Sequence, residues 1–259
     1  MNPMAHVPAA YLRQAARTPA IRAIKQRAYA LLGLLPGTAV LDIGCGPGIS
    51  TPDLARIVGP FGRVTGIDHD AAMVREADEA ARLAGVSAWT RHLQGDAVQL
   101  AFPSASFNAC FSDRMLQHLT ETKAAACVAE AARVTRPGGA VVFVDSDWGS
   151  FSLDMADAVL ERHVQALHQA RFHNPYAGRA LGRLLRRAGL AYVGVEPVAI
   201  PLVAPQVVNL LTPTIRDARR AGALDDASVA RWNDAVSAWF GVAHPVGHLT
   251  IAIAAGSRM

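Results

Sequence analysis

Short apolar runs recur through about the first 150 residues of the chain and alternate with segments of helical pattern. Such runs, nearly continuous in apolar residues, are typical of strands that are covered on both faces. A weaker run, Trp89–Gln94, lies between the second and third of them. Strands that alternate with helices of about 10–15 residues predict βαβ units and a parallel sheet. The four strong runs are Ala39–Ile43, Val64–Ile67, Phe107–Ser112 and Ala140–Asp145.

Helix signals occupy the intervals between these runs. Thr51 followed by Pro52 is typical of a helix that begins with an N-cap and has proline at its first position. Asp70 is placed to cap a second helix that continues to Arg82. The alanine-rich segment Thr122–Val134 predicts a third helix. The alternation of strand and helix is therefore regular up to about residue 146.

The second half of the chain contains longer helical segments and fewer strands. We expect a helical cap over residues 1–35 and a main domain over residues 36–259, with helical insertions near 150–178 and 203–243. Insertions of this kind usually cover a site rather than complete a core. The predicted elements are helices at Leu153–Arg171, Tyr176–Ala188, Val207–Ala221 and Ala227–Phe240, and strands at Tyr192–Val198 and His248–Ala255.

The first strong run leads directly into a glycine-rich turn. Val40–Gly48 reads VLDIGCGPG, so that a strand passes into Gly-x-Gly-x-Gly and then into the predicted helix at Thr51. Glycine permits a close approach of the backbone, and a following helix presents free N–H groups to an anionic ligand. The pattern therefore predicts a nucleotide-type loop, with a purely structural tight turn as the alternative.

Two acidic residues at later strand ends narrow the class of ligand. The dinucleotide fingerprint is G-x-G-x-x-G, and Ile49 stands where its third glycine belongs. Asp68 ends the second strand and suits the ribose hydroxyls of an adenosine. Asp96 follows the third strand, where its carboxylate could accept a hydrogen bond from an adenine amino group. The alternative is a purely structural turn, because Gly-Asp is common in turns.

Five segments in this order resemble the class I S-adenosylmethionine-dependent methyltransferases: VLDIGCGPG, GIDHD, GDA, FNACFSDRMLQHL and RVTRPGG. Among these methyltransferases, the chain is most similar to the small-molecule group that includes the ubiquinone/menaquinone and sterol methyltransferases. The resemblance covers about residues 36–146, together with 191–197 and 248–255. It implies an α/β fold with a Rossmann-like, doubly wound sheet of seven strands in the order 3-2-1-4-5-7-6, in which strand 7 is antiparallel.

The resemblance implies S-adenosylmethionine as the cofactor and assigns residues to it. In that assignment the glycine-rich turn holds the methionine part, with Asp42 orienting it, and Asp68 binds the ribose. His69 and Met73 flank the adenine, and Asp96 with Ala97 binds its edge. Ser112 and Gln117 line the methionine side. The full cofactor set is Asp42, Gly44, Cys45, Gly46, Asp68, His69, Met73, Asp96, Ala97, Ser112 and Gln117.

A methyl acceptor needs contacts of its own and, if its reacting atom is oxygen, a base. His118 is the candidate catalytic base, with packing against the cofactor as its alternative role. Candidate substrate contacts are Tyr11 near the start of the chain and Asp145, Asp147 and Trp148 after the fifth strand. The alternative for this last group is a loop with structural acids and an anchoring aromatic residue.

Other histidine and tryptophan pairs have structural explanations. His163 and His168 are five residues apart, so on a helix they face different directions and do not suit a shared metal. We expect no metal site. Trp232 and Trp239 are seven residues apart on one predicted helix face, which favours a place in a core.

Composition limits the classes of protein that remain. The 259 residues are 51% hydrophobic with a mean hydropathy of +0.20 and a net charge of +4, as in one large globular domain. Basic residues gather only at helical spacing, which favours solvated helix faces over a nucleic-acid site. Three cysteines form no disulfide framework. We find neither a signal-peptide pattern nor a stretch of about 18 apolar residues, and therefore expect a cytoplasmic protein without a membrane span.

The favoured hypothesis is methyl transfer to a small-molecule acceptor, with specialised metabolism as a candidate setting. One alternative is a noncatalytic or cyclase-type protein that keeps the S-adenosylmethionine fold. Another is a nicotinamide-dependent oxidoreductase, which the missing third glycine disfavours. RNA methylation is disfavoured by the low net charge. The identity of the acceptor, its reacting atom and the oligomeric state stay open.

Overall fold

The computed structural model describes residues 9–202, 204–241 and 246–259. Seven strands in these residues form one sheet. Most strands coincide with the apolar runs in the sequence. The strands are β1 Ala39–Ile43, β2 Arg63–Asp68, β3 Thr90–Gln94, β4 Phe107–Asp113, β5 Thr135–Leu153, β6 Ala191–Pro201 and β7 Gly247–Ser257.

The strand order is β3-β2-β1-β4-β5-β7-β6. Strands β1 to β5 are parallel to one another, whereas β7 is antiparallel to both β5 and β6. The order and the antiparallel strand that the resemblance implies are thus confirmed. Since the chain leaves β1 toward β2 on one side and later returns to β4 on the other, the carboxyl ends of β1 and β4 flank the switch point where open α/β sheets bind ligands.

Helices cover both faces of the sheet. Helices α2, α3 and α4 pack on one face, while α5 and α7 pack on the other. A further group, α6, α8 and α9, lies beyond the end of β5. The helices are α1 Ala9–Ala16, α2 Pro19–Leu31, α3 Thr51–Val58, α4 Ala71–Leu83, α5 Glu121–Val134, α6 Ala158–Gln169, α7 Ala177–Arg187, α8 Ala204–Arg220 and α9 Asp226–Gly241.

Alternating side chains of the central strands serve two separate cores. Leu41 and Ile43 of β1 belong to the core beneath α5 and α7, whereas Val40 belongs to the core beneath α2 and α3. In β5, Val141 and Val142 divide in the same way. A strand with one exposed face alternates apolar and polar residues. Because both faces of these strands are buried, the alternating polar residues are absent, which explains the continuous apolar runs.

The group α6, α8 and α9 has a third core of its own. It contains Trp148 and Phe172 together with apolar residues from all three helices. Trp232 and Trp239 both lie in this core, as their spacing predicts. The insertion between β6 and β7 therefore shares one apolar core with α6 and the end of β5.

The end of β5 differs from the sequence-based prediction. The helix predicted from Leu153 begins at Ala158, because β5 pairs with β7 again at Leu153 after an irregularity. Asp157 caps the helix by accepting a hydrogen bond from the Leu160 N–H at 3.0 Å. The apolar pattern of Leu153 alone could not distinguish a strand end from a helix start.

Two helix starts illustrate what a local signal can predict. Asp70 caps α4 as expected, since its carboxylate accepts from the N–H of Ala72 at 2.7 Å. Helix α3 begins at Thr51, but the residue at its N-cap is Ser50. The Ser50 hydroxyl does not cap the helix and instead accepts from Lys25 Nζ at 2.5 Å.

Within residues 9–202, 204–241 and 246–259, no helix has both the length and the apolar composition needed to cross a membrane. Cys45, Cys110 and Cys127 are buried and free. Burial raises the pKa of the Cys110 thiol to about 12, so this thiol stays protonated at neutral pH.

Helix α7 lies so close to β5 that a glycine is required at the contact. A Cβ atom on Gly178 would lie 2.6 Å from the carbonyl oxygen of Asp145 and 2.9 Å from the amide nitrogen of Asp147. Both are backbone atoms, so Gly178→Ala should lower the free energy of unfolding by about 1–3 kcal/mol in urea titrations. Gly241→Ala is the control, because its Cβ would meet nothing within 4 Å. Equal stability of the two variants would contradict this account.

Candidate functional site

Backbone hydrogen bonds join the carboxyl ends of the central strands. The N–H groups of Gly44 and Cys45 donate to the carbonyl of Ile67 at 2.8 and 2.9 Å, which ties the loop after β1 to β2. Gly95 after β3 donates to the carbonyl of Asp68 at 3.0 Å. The hydroxyl of Ser112 in β4 donates to the carbonyl of Ile43 at 2.8 Å. The structure thus brings the predicted cofactor residues of four strands to one edge.

Two glycines of the loop have different physical roles. Gly44 has φ +70°, and a Cβ there would lie 2.4 Å from Cγ of Met115. It therefore allows the segment after β4 to approach the loop. Gly46 has φ +52°, and its Cβ would meet nothing within 4 Å. Its backbone faces open space, where a ligand could lie against it.

Asp68 shapes the loop from the end of β2. Its buried carboxylate accepts from the N–H of Gly46 at 2.9 Å through Oδ2 and from the N–H of Asp70 at 3.0 Å through Oδ1. The exposed ring of His69 lies beside it, with Nδ1 3.3 Å from Oδ1. A carboxylate offers about four acceptor positions, so Asp68 keeps capacity for ligand hydroxyls.

The third acid lies at the outer end of this edge. Asp96 is exposed, and its Oδ1 accepts from the N–H of Val98 at 3.0 Å, as in a turn. The neighbouring Ala97 is half-buried. Met73 is buried in α4. These three residues lie on the elements that follow β2 and β3, which is the side where the resemblance places the adenine.

A buried ion pair lies beneath the loop, and sequence analysis missed it. Lys25 Nζ in α2 lies 2.9 Å from Oδ2 of Asp113 at the end of β4, and Arg114 pairs with the same carboxylate at 2.9 Å. Burial alone would raise the pKa of Asp113, but the charges of Arg114 and Lys25 outweigh it and hold that pKa well below its ordinary range. Only Lys25 and Lys123 are lysine among 25 basic residues, a signal that could have drawn attention to this position.

Asp42 is the second buried acid near this pair. Burial raises its pKa to about 7, against the opposing effect of the Lys25 charge. Its Oδ2 has no hydrogen-bond partner among the described residues. Such an orphaned buried oxygen marks a place where a bound ligand or a water can supply a donor.

Gln117 connects the tip of β4 to the segment after β5. Its Oε1 accepts from the indole N–H of Trp148 at 2.8 Å, and its Nε2 donates to the carbonyl of Arg114 at 3.1 Å. Its backbone N–H donates to Oδ2 of Asp145 at 3.3 Å. The side chain therefore holds Trp148 in one orientation next to the candidate cofactor edge.

Four side chains form an aromatic cluster: Trp148, Phe151, His168 and Phe172. The rings of Trp148 and Phe172 are stacked, with centroids 4.8 Å apart and an angle of 17°. His168 meets the ring of Trp148 edge-on at 4.7 Å. Its Nδ1 is 2.8 Å from the hydroxyl of Thr214 in α8, and its buried Nε2 has no partner among the described residues. Burial lowers the pKa of His168 to about 3, so the ring is neutral.

The other candidate substrate residues already have partners. Asp145 is buried and also accepts from the N–H of Ser146 at 2.8 Å, and burial raises its pKa to about 7. Asp147 pairs with Arg179 at 2.8 Å and accepts from the N–H of Gly149 at 3.1 Å. Both acids therefore stabilise the chain after β5. Tyr11 belongs to α1, but its side chain lies outside the described part of the structure.

His118 lies at the open side of this edge, 5.9 Å from Phe172 between ring centroids. Part of the residue is exposed, yet the protein around its ring removes enough water to lower its pKa to about 4. The charges of His69 and His173 act in the same direction, and that of Asp68 opposes them. The ring is therefore neutral at pH 7 and is a weak proton acceptor.

Comparison with known sequences gives the same picture. A family model described as a methyltransferase domain matches residues 40–139. An uncharacterised 37.1 kDa protein in transposon TN4556 of Streptomyces fradiae is 36% identical over 233 residues, which are 88% of this chain and 66% of that protein. Cycloartenol-C-24-methyltransferase of Arabidopsis thaliana is 34% identical over 107 residues, 41% of this chain and 31% of that enzyme. The chain thus spans less than two thirds of either relative.

Solved structures share the fold over most of the chain. Protein BH2331 of Bacillus halodurans C-125, whose name assigns it to the methyltransferases, has a TM-score of 0.64 at 18% identity, over 91% of this chain and 98% of that one. The [4+2]-cyclase SpnF has a TM-score of 0.56 at 22% identity, over 94% and 84%. Geranyl diphosphate C-methyltransferase of Streptomyces coelicolor A3(2), in complex with S-adenosyl-L-homocysteine, has a TM-score of 0.56 at 18% identity, over 92% and 80%.

Residues 40–139 match a methyltransferase domain, and the sequence and the fold together support a class I S-adenosylmethionine-dependent methyltransferase. The methyltransferase domain and the S-adenosyl-L-homocysteine bound in a structure of the same fold support S-adenosylmethionine as the cofactor. The residues at the strand edge fit a cationic adenosyl ligand. The backbone at Gly46 is open, Asp68 keeps acceptor capacity, Asp42 has an oxygen without a donor, and His118 is neutral, so no positive ring opposes a sulfonium.

Removal of the Asp68 carboxylate should weaken cofactor binding. Asp68→Ala loses the acceptor for the Gly46 N–H and the proposed acceptor for the ribose hydroxyls. Loss of a charged hydrogen bond is worth about 1.5–3 kcal/mol, so we expect calorimetry to show about 10–100-fold weaker binding of S-adenosylhomocysteine. Asp53→Ala, at an exposed acid of α3, is the matched control. Unchanged affinity in folded Asp68→Ala would show that the ribose assignment is wrong.

Titration of Asp42 should make stability depend on pH. The unfolded carboxyl has the ordinary pKa of 3.8, whereas the folded one has a pKa of about 7. Between these values the folded state binds a proton that the unfolded state has released, so the wild type loses stability as pH rises. Asp42→Asn lacks this titration. The unfolding free energy of the variant relative to wild type should rise by a few kcal/mol between about pH 4 and 7. A constant difference across this range would contradict the buried-acid account.

Proposed function

We propose that the chain transfers a methyl group from S-adenosylmethionine to a small-molecule acceptor with an apolar body. The observation that carries the proposal is the hydrogen bond from Trp148 to Gln117, because it places the aromatic cluster beside the tip of β4. When bound, the cofactor supplies an electrophilic methyl group on a sulfonium. The residues of the chain then have to align the acceptor, exclude water and tolerate the positive charge.

The cofactor side of the proposed site follows the tips of β1 to β4. Gly44, Cys45 and Gly46 would hold the methionine part against the open backbone of the loop. Asp68 would accept from the ribose hydroxyls. The adenine would lie toward α4 and the turn after β3. The residues on this adenine side are His69, Met73, Asp96 and Ala97, and those on the methionine side are Asp42, Ser112 and Gln117.

The acceptor side is built from the aromatic cluster and the helices that cover it. Trp148 and Phe172 are less than one tenth exposed and form an apolar wall. Helices α6, α8 and α9 share one apolar core with this wall. The helical cap predicted at 1–35, of which residues 1–8 lie outside the described residues, is proposed to close the site from the other side. Alignment in a closed site can be worth about 7–11 kcal/mol through proximity alone. The Arabidopsis relative is named as a cycloartenol methyltransferase, which supports a small-molecule acceptor.

The groups that could remove a proton are few in the described part of this site. Asp145 is buried beneath Gln117, and Asp147 is held by Arg179. His118 is open to the site, but with a pKa of about 4 it is a weak base at neutral pH. The arrangement therefore favours an acceptor that reacts without a strong protein base, with His118 in contact with the cofactor.

The cyclase-type alternative rests on one comparison. The [4+2]-cyclase SpnF shares the fold over 94% of this chain. An apolar aromatic wall without a strong base would also suit a small-molecule substrate that bends back on itself and closes a ring. In that case the chain would bind the cofactor without consuming it.

Release of S-adenosylhomocysteine decides between these functions. The protein is incubated with S-adenosylmethionine and a panel of apolar hydroxylated, amine and alkene acceptors, with a tRNA arm included. Methylated product in a small-molecule arm supports the proposal. Cofactor binding by calorimetry with no methyl transfer in any arm supports the cyclase-type alternative, and product in the tRNA arm alone contradicts a small-molecule acceptor.

If His118 only contacts the cofactor, its replacement should lower kcat only slightly. General base catalysis contributes about 10²–10⁴-fold, so loss of a true base would lower kcat by at least about 100-fold. We expect His118→Asn to lower kcat by less than about 10-fold and to leave the pH profile unchanged. His163→Asn, an exposed histidine of α6, is the matched control. A drop of about 100-fold together with an altered pH profile would make His118 the base.

A further inference from the structure

A cavity of about 600 Å³ lies between α8 and α9, in the insertion that follows β6. This volume is within the range of about 300–1,000 Å³ that small-molecule sites have. The cofactor residues at the strand edge do not line it. We propose that this cavity is a second binding site, for an organic anion such as a carboxylate that carries an apolar body. The inference does not rest on the proposed methyl transfer.

The walls of the cavity are apolar. Leu211 and Ile215 of α8 face Trp232 and Val236 of α9, with residues of each pair spaced by four along their helix. These side chains are less than one tenth exposed, so they form a floor rather than a loose surface patch. Burial of apolar ligand surface on such a floor gives roughly 25 cal/mol per Å². The ligand must therefore have an apolar body.

The rim of the cavity carries positive charge. Arg216, Arg219 and Arg220 line it, and no acidic residue is among its described lining residues. Arg216 and Arg219 are each ion-paired with an exposed or half-exposed aspartate. Such pairs at the surface are worth about 0–1 kcal/mol and can be exchanged for a ligand. Arg220 has no ion pair in the part of the chain that the structure describes.

The rim and the floor together select the ligand class. Guanidinium groups match the fork of a carboxylate, which favours an anionic head group at the rim. A nucleic-acid backbone would satisfy the arginines but would leave the apolar floor without a partner. A neutral lipid would cover the apolar floor but would leave the arginines without an anionic partner. Only an amphipathic anion satisfies both parts of the cavity.

Helix α8 separates this cavity from the aromatic cluster. Thr214 lies between Leu211 and Ile215 on α8, and its hydroxyl contacts Nδ1 of His168 at 2.8 Å. The two sites are therefore neighbours that share one helix. The cavity remains distinct from the acceptor side, because its lining includes no member of the aromatic cluster.

Calorimetric titration of the full chain with dodecanoate below its micelle concentration tests the proposal. We expect saturable binding of one molecule per chain. Dodecanol, which lacks the charge, and acetate, which lacks the apolar body, should each bind at least about fivefold more weakly. Arg220→Gln should weaken dodecanoate binding by about fivefold or more, because a charged hydrogen bond is lost. Arg231→Gln, an arginine of α9 outside the cavity lining, should leave the affinity unchanged.

Tryptophan fluorescence locates the bound probe. Trp232 lines the cavity and Trp239 does not. Trp232→Phe should therefore remove the fluorescence response to dodecanoate, while Trp239→Phe should keep it. The proposal is wrong if binding does not saturate, if dodecanol binds equally well, or if Arg220→Gln has no effect in a folded variant. It is also wrong if sedimentation shows a dimer that excludes dodecanoate, since a second copy would then occupy the groove.

Discussion

The ion pair between Lys25 and Asp113 is the constraint on which the geometry of the site depends. It joins α2 to the end of β4, and the same ammonium donates to Ser50 at the start of α3. Removing one partner of a buried pair leaves an uncompensated charge and costs about 3–5 kcal/mol. The glycine loop is the segment that connects β1 to α3. This charged contact therefore holds α2, α3 and β4 together below the loop, while backbone hydrogen bonds tie the loop itself to β2.

The charges around this pair also favour a cationic ligand above it. Asp42, Asp68 and Asp113 lie near the tips of the central strands, and Asp42 has a pKa of about 7 because burial disfavours its charge. A positive sulfonium at this edge would favour the ionised carboxylate. The cationic cofactor would thus reduce the cost of a buried negative charge on Asp42. The Asp42 carboxylate would in this way contribute to the affinity for the cofactor.

Local sequence patterns predict the parts of this molecule that depend on neighbouring residues. The continuous apolar runs predict the central strands because both faces are covered, and Asp70 predicts the start of α4 because a cap is a local interaction. Asp68 could be placed at the loop because parallel strands end at a common edge. The pairing of Lys25 with Asp113 and the bond from Trp148 to Gln117 join residues far apart in the chain. No local pattern encodes such contacts, so they became visible only in the structure.

The third core is separate from the strand tips that would hold the cofactor. Cofactor residues lie on strand tips that the two main cores hold, whereas the aromatic cluster belongs to the separate core of α6, α8 and α9. Gln117 joins the two regions through its hydrogen bond with the Trp148 indole, and the ring of His118 lies beside that of Phe172. Substitutions within the third core can therefore reshape the proposed acceptor wall while the loop, Asp68 and the buried ion pair stay in place. Because the two regions pack in different cores, a change in the proposed acceptor wall would leave the proposed cofactor site intact.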